Sequence, residues 1–175
     1  QMLVSGADLN EMTTQVQMFN NIRSELGLPP DQPTTLLWMY CAETAAEAEE
    51  GWVYFHNQLT AAQHHYFEWN NPGFDGIHGY EEYLERQTAD IGTADASFEA
   101  RRGTQPIGTP DEIIARIKTL QESLSLEKIV VHMFYGGMPR DKAEKSLRLF
   151  AEKVLPAVQA MPTPINPRSL GEPAS

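Results

Sequence analysis

Thr34-Thr35-Leu36-Leu37-Trp38-Met39-Tyr40-Cys41 decides the fold class of this chain. The run is apolar or β-prone throughout and shows no polar alternation. That predicts one strand covered on both faces, as in a parallel sheet. Thr44-Ala45-Ala46-Glu47 follows at once. It matches a capping box, in which a threonine hydroxyl and a glutamate three residues later satisfy the exposed N–H groups of a helix start. Ala48, Trp52, Phe55, Leu59, Ala62 and Tyr66 then recur at helical spacing, so a helix with one buried face is expected to about residue 66. A buried strand running directly into an amphipathic helix is half of a βαβ unit.

The same alternation continues in both directions. Residues 2–5 read as a short strand closed by Ser5-Gly6. Asp8 or Asn10 can cap a helix whose inward positions are Met12, Val16, Phe19, Ile22 and Leu26, ended by Gly27 and Pro29-Pro30. Toward the C-terminus, Thr109-Pro110-Asp111-Glu112 combines an N-cap, an N1 proline and an N3 glutamate. Ile113, Ile114, Ile117, Leu120 and Leu124 give that helix its buried stripe. Ile129 to Tyr135 predicts another buried strand, ended by Gly136-Gly137. Pro139 opens a last helix with Ala143, Leu147, Phe150, Val154 and Val158 inward, and Pro156 should bend it. Residues 69–107 break the pattern. Asn70-Asn71-Pro72-Gly73 is turn chemistry, 79–87 suggests a short helix, and Ile91 to Thr104 has no periodicity. An irregular insertion of this kind is expected to act as a lid. Residues 162–175, punctuated by Pro162, Pro164, Pro167 and Pro173, read as a flexible tail after one domain over 1–161.

Composition bounds the function. Over 175 residues the net charge is −11, which argues against a nucleic-acid or anionic-membrane surface, since both need clustered Lys and Arg. Cys41 is the single cysteine, so no intrachain disulfide can form, and a reducing, cytoplasmic setting is expected. No apolar run reaches the ~18 residues of a membrane span. The chain starts with Gln1, inside the apolar run Met2-Leu3-Val4, as expected of a piece cut from something larger.

The segment QPIGTPDEIIARIKTLQESLSLEKIVVHMFYGGMPRDKAEKSLRLFAEKVLPAVQ, from Gln105 to Gln159, resembles the C-terminal end of the bacterial-luciferase-like flavin monooxygenases. A Gly-Thr-Pro opens a helix, a strand ends near Gly-Gly-Met-Pro, and a final helix closes with Phe-Ala-Glu-x-Val-x-Pro. YCAETAAEAEEGWVYFHNQL (40–59) resembles that family's penultimate strand and the helix after it, and QMLVSGADL (1–9) its sixth strand. The resemblance implies the C-terminal portion of a TIM (β/α)8 barrel, with strands six to eight present. It implies reduced FMN supplied by a separate flavin reductase, oxygen, and a small organic substrate. Some relatives use a deazaflavin and act as dehydrogenases. The family's phosphate site and catalytic histidine region lie mainly on earlier strands, so the catalytic residues are expected outside this chain and the 175 residues alone are expected to be inactive. A homo-oligomer or a missing N-terminal half would be the macromolecular partner. The alternative from another class is a non-catalytic partial barrel that binds flavin or is purely structural.

In a parallel barrel, chemistry sits at the C-terminal ends of the strands. Ser5 there could donate to a flavin ring edge, against the simpler role of a turn residue. Gly136-Gly137 could admit close approach of a cofactor, against a plain turn. Arg101-Arg102, in the expected lid, could meet an anionic substrate or the flavin phosphate, against surface solvation. Cys41 reads as a buried small hydrophobe and His132 as a hydrogen-bonded core histidine. His64 and His65, with Glu68 four residues after His64, could imitate a metal pair on a helix, but no further ligand is evident, so no metal is expected. The acidic run Glu47 to Glu50 reads as a solvated helix face.

Overall fold

The computed structural model describes residues 2–6, 8–62, 73, 76–79, 81 and 94–163, with side chains at 94–97 excepted. The expected helix end at Tyr66, most of the 79–87 helix and the tail from 164 lie outside the described residues. Strands β1 (Leu3–Val4), β2 (Thr34–Trp38) and β5 (Lys128–His132) form one parallel sheet in the order β1-β2-β5. Two further short strands, β3 (Tyr40–Cys41) and β4 (Ile107–Gly108), pair in parallel with each other. The helices are α1 (Leu9–Glu25), α2 (Ala45–Ala62), α3 (Ala94–Arg102), α4 (Pro110–Leu124), α5 (Arg140–Leu149) and α6 (Leu155–Gln159). The α/β class with parallel strands and amphipathic helices therefore stands.

The run 34–41 is two strands. At Met39 the chain changes partner: the Met39 N–H donates to the His132 carbonyl, while the Ala42 N–H donates to Gly108. The Cys41 N–H donates to the buried Ser146 hydroxyl at 2.8 Å. The Ile107-Gly108 strand escaped detection because two residues between Pro106 and the cap Thr109 carry no periodicity. The strand expected over 129–135 ends at His132. Beyond it, Gly136 packs against the Tyr54 backbone of α2.

Among the described residues, helices cover one face of the sheet. Val4 and Leu37 pack with Met12 and Val16 of α1 and Leu120 and Leu124 of α4. Met39, Ile113, Ile117, Phe150 and Val154 form the adjoining core, with Ile129 and Val131 against it. The opposite face carries Leu3, Leu36, Trp38, Val130 and His132, which the register places side by side. No helix among the described residues covers most of it: Leu3 is 63% and Val130 48% exposed. The expectation of strands covered on both faces is thus corrected. The apolar content of β2 fits its central position, not two helical layers.

The caps hold as expected. Asp8 accepts from the Glu11 N–H at 2.9 Å, and the Thr109 N–H donates to Glu112 at 2.8 Å. Other details differ. Asn20, not Phe19 or Ile22, continues the buried Met12-Val16 stripe, and its side chain bonds the backbone of Asp31 at both N–H and carbonyl. Ile22, Leu26 and Leu147 are exposed. The 91–104 stretch contains helix α3, whose Phe98 ring meets Trp52 edge-on at 5.9 Å. The bend expected at Pro156 is a π-helical turn over Phe150–Val154, just before a proline that has no N–H to give.

Candidate functional site

The crossover from β2 to α4 passes through α2 and α3, and this is the longest connection leaving a strand's C-terminal end. Its start is built by close packing. α2 crosses Tyr40 at Gly51, where an added Cβ would lie 2.4 Å from the Tyr40 ring. Tyr40, Trp52, Phe55, Ile107, Tyr135 and Met138 fill the space between. Trp38 extends this cluster onto the open sheet face, its ring 5.7 Å from Phe55 and stacked on His132 at 5.8 Å.

The other end of the crossover returns to the same place. The Trp38 N–H donates to the Gln105 side-chain oxygen at 3.0 Å. Gln105 is itself buried, and its amide donates to Thr104 at 3.1 Å. Ser5, Gly6, Trp38, Arg101 and Gln105 line a narrow cleft of about 10 Å³. That volume holds no ligand, but it brings strand-end Ser5 next to Arg101. Ser5 is exposed, and His132 is exposed beside Trp38 on the next strand. The cleft therefore brings the Ser5 and Arg101 side chains together, while the His132 imidazole stacks on Trp38 on the open sheet face.

The remaining candidates are placed elsewhere. Gly136 has φ +61°, and a Cβ there would fall 1.8 Å from the Tyr54 carbonyl. Its N–H donates to Gln58 at 3.2 Å. The glycine is needed for contact with helix α2, and its N–H is already engaged. Gly137 has φ +76° with open space around it, as a turn requires. Arg102 lies over the rings of Trp52 and Phe98, at 5.2 and 5.6 Å, and pairs with Glu49 at 3.5 Å. It holds α3 onto α2 and does not join Arg101.

His132 is not a core histidine. The register puts it on the uncovered face, so no packing buries it. Cys41 is buried, and burial, with Glu47 adding to it, pushes its thiol up to about 11. It is no nucleophile at neutral pH. Tyr135 is buried with no hydrogen-bond partner for its hydroxyl, and burial raises its pKa strongly. The acidic run is more than a solvated face. Glu47 is held by Lys145 at 2.8 Å and Glu50 by Lys142 at 2.9 Å, which ties α2 to α5. The Lys145 hydrogen bond holds the Glu47 carboxyl below its usual range. His64, His65 and Glu68 lie outside the described residues, and no cluster of metal-binding side chains occurs among those described. Among them, too, no helix is long and apolar enough to cross a membrane.

Trp38, Gln105 and His132 were not singled out in the sequence as site residues. The available signal was alternation: once β2 and β5 are aligned, every second residue from Leu36 and Val130 falls on one face.

No family model and no curated protein matches the sequence. Among solved structures, the chain is similar to the monooxygenase RslO1 from Streptomyces bottropensis, at 19% identity and a TM-score of 0.55 over 88% of this chain. The chain spans 40% of the length of that protein. The likeness is one of fold.

Proposed function

We propose that the chain supplies one wall of the active site of a flavin-dependent monooxygenase of the luciferase-like barrel type, with reduced FMN from a separate reductase, oxygen and a small organic substrate. The observation that carries the reading is the meeting of Ser5, Trp38 and the crossover residues Arg101 and Gln105 at the C-terminal ends of parallel strands, where parallel α/β enzymes keep their chemistry. The likeness in fold to a monooxygenase and the resemblance over residues 105–159 support it.

The described residues fit part of the cofactor. Ser5 and Arg101 suit the polar edge of a flavin ring, and the Leu36–Val130 face suits an apolar ring or substrate. A doubly charged phosphate needs several fixed donors. Gly136 offers none, because its N–H is taken by Gln58. Among the described residues, no other set of fixed donors stands beside Ser5 and Arg101, so the reading places the phosphate away from this wall. When bound, the flavin supplies the oxygen chemistry. The protein's own part is to orient: Ser5 donates to the ring edge, Arg101 faces negative charge, and Trp38 with Phe55 and Phe98 keeps water from the strand ends.

The experiment compares this chain with the full product of its own reading frame. Each is titrated with FMN, then assayed for NADH-dependent substrate oxidation with an added flavin reductase. The full product should bind and turn over, the 175-residue chain should do neither, and Arg101→Ala should weaken binding in the full product. Turnover by the 175 residues alone overturns the partial-wall reading. Absence of FMN binding in the full product overturns the flavin reading, and a parallel arm with a deazaflavin tests the dehydrogenase variant. A second reading, a non-catalytic partial barrel, is favoured by the exposed Leu3 and Val130 on the outer strands of the described sheet.

A further inference from the structure

The helix-covered side of the sheet is not filled throughout. Between α4, β5 and α6 lies a partly open pocket of about 220 Å³. Met39, Ile117, Val131, Phe150, Val158 and Met161 form its walls. These same residues belong to the core that joins α4 to the last helices. Packed interiors keep few voids larger than a water molecule, so a space of this size against the core calls for an occupant.

One polar side chain interrupts the walls. Gln121, one turn after Ile117 on α4, lines the pocket and is only 8% exposed. Its amide nitrogen is buried and has no hydrogen-bond partner among the described residues. That nitrogen carries two donor hydrogens, and leaving them unpaired in an apolar setting costs stability. Elsewhere on its buried side the same helix uses Ile113, Leu120 and Leu124. A leucine at position 121 would complete the wall without the cost. The orphaned donor therefore points to an acceptor that arrives with a ligand.

The rest of the lining narrows the ligand's chemistry. Its other polar residues are Glu127, Lys128 and Thr163, all exposed at the mouth. Glu127 and Lys128 pair with each other at 3.7 Å, so neither sign of charge prevails there. An apolar pocket with one inner donor and no net charge suits a neutral molecule with an apolar body and a single acceptor. A cavity of roughly 150 Å³ lined by aliphatic and aromatic side chains takes benzene. About 220 Å³ takes one ring with a short side chain. The thioethers of Met39 and Met161 can adjust to its outline.

We propose that this pocket binds a small neutral carbonyl compound, a ketone or ester. Its apolar body lies among Met39, Phe150 and Val158, and its carbonyl oxygen accepts from the Gln121 amide. The pocket shares no lining residue with the Ser5–Arg101 cleft, so its occupancy is independent of the flavin reading.

The probes are acetophenone and α-methylstyrene, which share a shape although only the first has a carbonyl oxygen. Each is titrated into the 175-residue chain carrying carbon-13 methionine methyl groups and followed by NMR. Acetophenone should shift the Met39 and Met161 signals saturably and leave those of Met2 and Met18 unmoved. α-Methylstyrene should bind about tenfold more weakly, the worth of one hydrogen bond to an otherwise unpaired donor. Gln121→Leu should abolish that preference and raise the thermal midpoint, because it removes an unpaired buried donor. Val158→Trp, which fills the space, should abolish both titrations; circular dichroism checks its fold, and Leu155→Trp replaces it if it does not fold. No binding of acetophenone, equal affinity for the two probes, a preference kept in Gln121→Leu, or binding that survives the filled pocket would each overturn the proposal. So would a lowered midpoint in Gln121→Leu, which would show the amide serving the fold instead.

Discussion

The two faces of the β1-β2-β5 sheet come from the same few residues and have opposite fates. Leu37 and Leu36 are neighbours of one type. Leu37 is 2% exposed beneath α1 and α4, whereas Leu36 faces away from them beside Val130. The difference is one of phase: a strand turns alternate residues to opposite sides, and the crossover helices α1 and α4 serve only one side. A continuous apolar run therefore shows that both faces of a strand are apolar. It does not show what covers each. The covered face holds the fold together, and the open face ends at the candidate site.

The sharpest way to break this contrast is substitution on either side of it. Leu37→Ala should cost about 2–5 kcal/mol in urea unfolding, as for other large-to-small changes in a packed core. Phe150→Ala, in the core on the same side, should cost about 3–5 kcal/mol. Gly136→Ala should fall in a similar range, about 3 kcal/mol or more, because its Cβ meets the Tyr54 carbonyl at a positive φ. Val130→Thr on the open face should change stability by no more than about 0.5 kcal/mol. A cost at Val130 equal to that at Leu37 would mean that the open face is packed.

A smaller effect is expected where α2 meets α5. Lys145 holds the Glu47 carboxylate and lowers its pKa. A lowered carboxylate pKa stabilises the fold fully above the ordinary carboxylate range, and the contribution is lost as pH falls through the lowered value. Glu47→Gln should therefore reduce the thermal midpoint slightly at neutral pH and not at all in strong acid. A difference that grows as pH falls would contradict the assigned pairing.

Much of the covered face was legible in the sequence. Ile113, Ile117, Leu120 and Leu124 announce α4, and Thr109 with Glu112 fixes its start, because caps and helical stripes are local signals. The open face was not. Nothing near His132 in sequence says that its side of β5 lacks a helix. That depends on pairing with β2 almost a hundred residues earlier. Arg101 and Arg102 were indistinguishable as neighbours, and helix α3 then sent one toward Ser5 and the other onto Trp52. Gly136-Gly137 was legible as a turn, but the contact with Tyr54 that requires Gly136 comes from a distant helix.

Cysteine accessibility tests the two-faced sheet most directly. In a Cys41→Ala background, single cysteines are placed at Leu37 and at Val130, and each native protein is labelled with a small charged thiol reagent and compared with its unfolded form. Val130→Cys should react at close to the unfolded rate, and Leu37→Cys should be protected until the protein unfolds. Equal protection at both positions, or rapid labelling at Leu37→Cys, would contradict a sheet with one covered face and one open face.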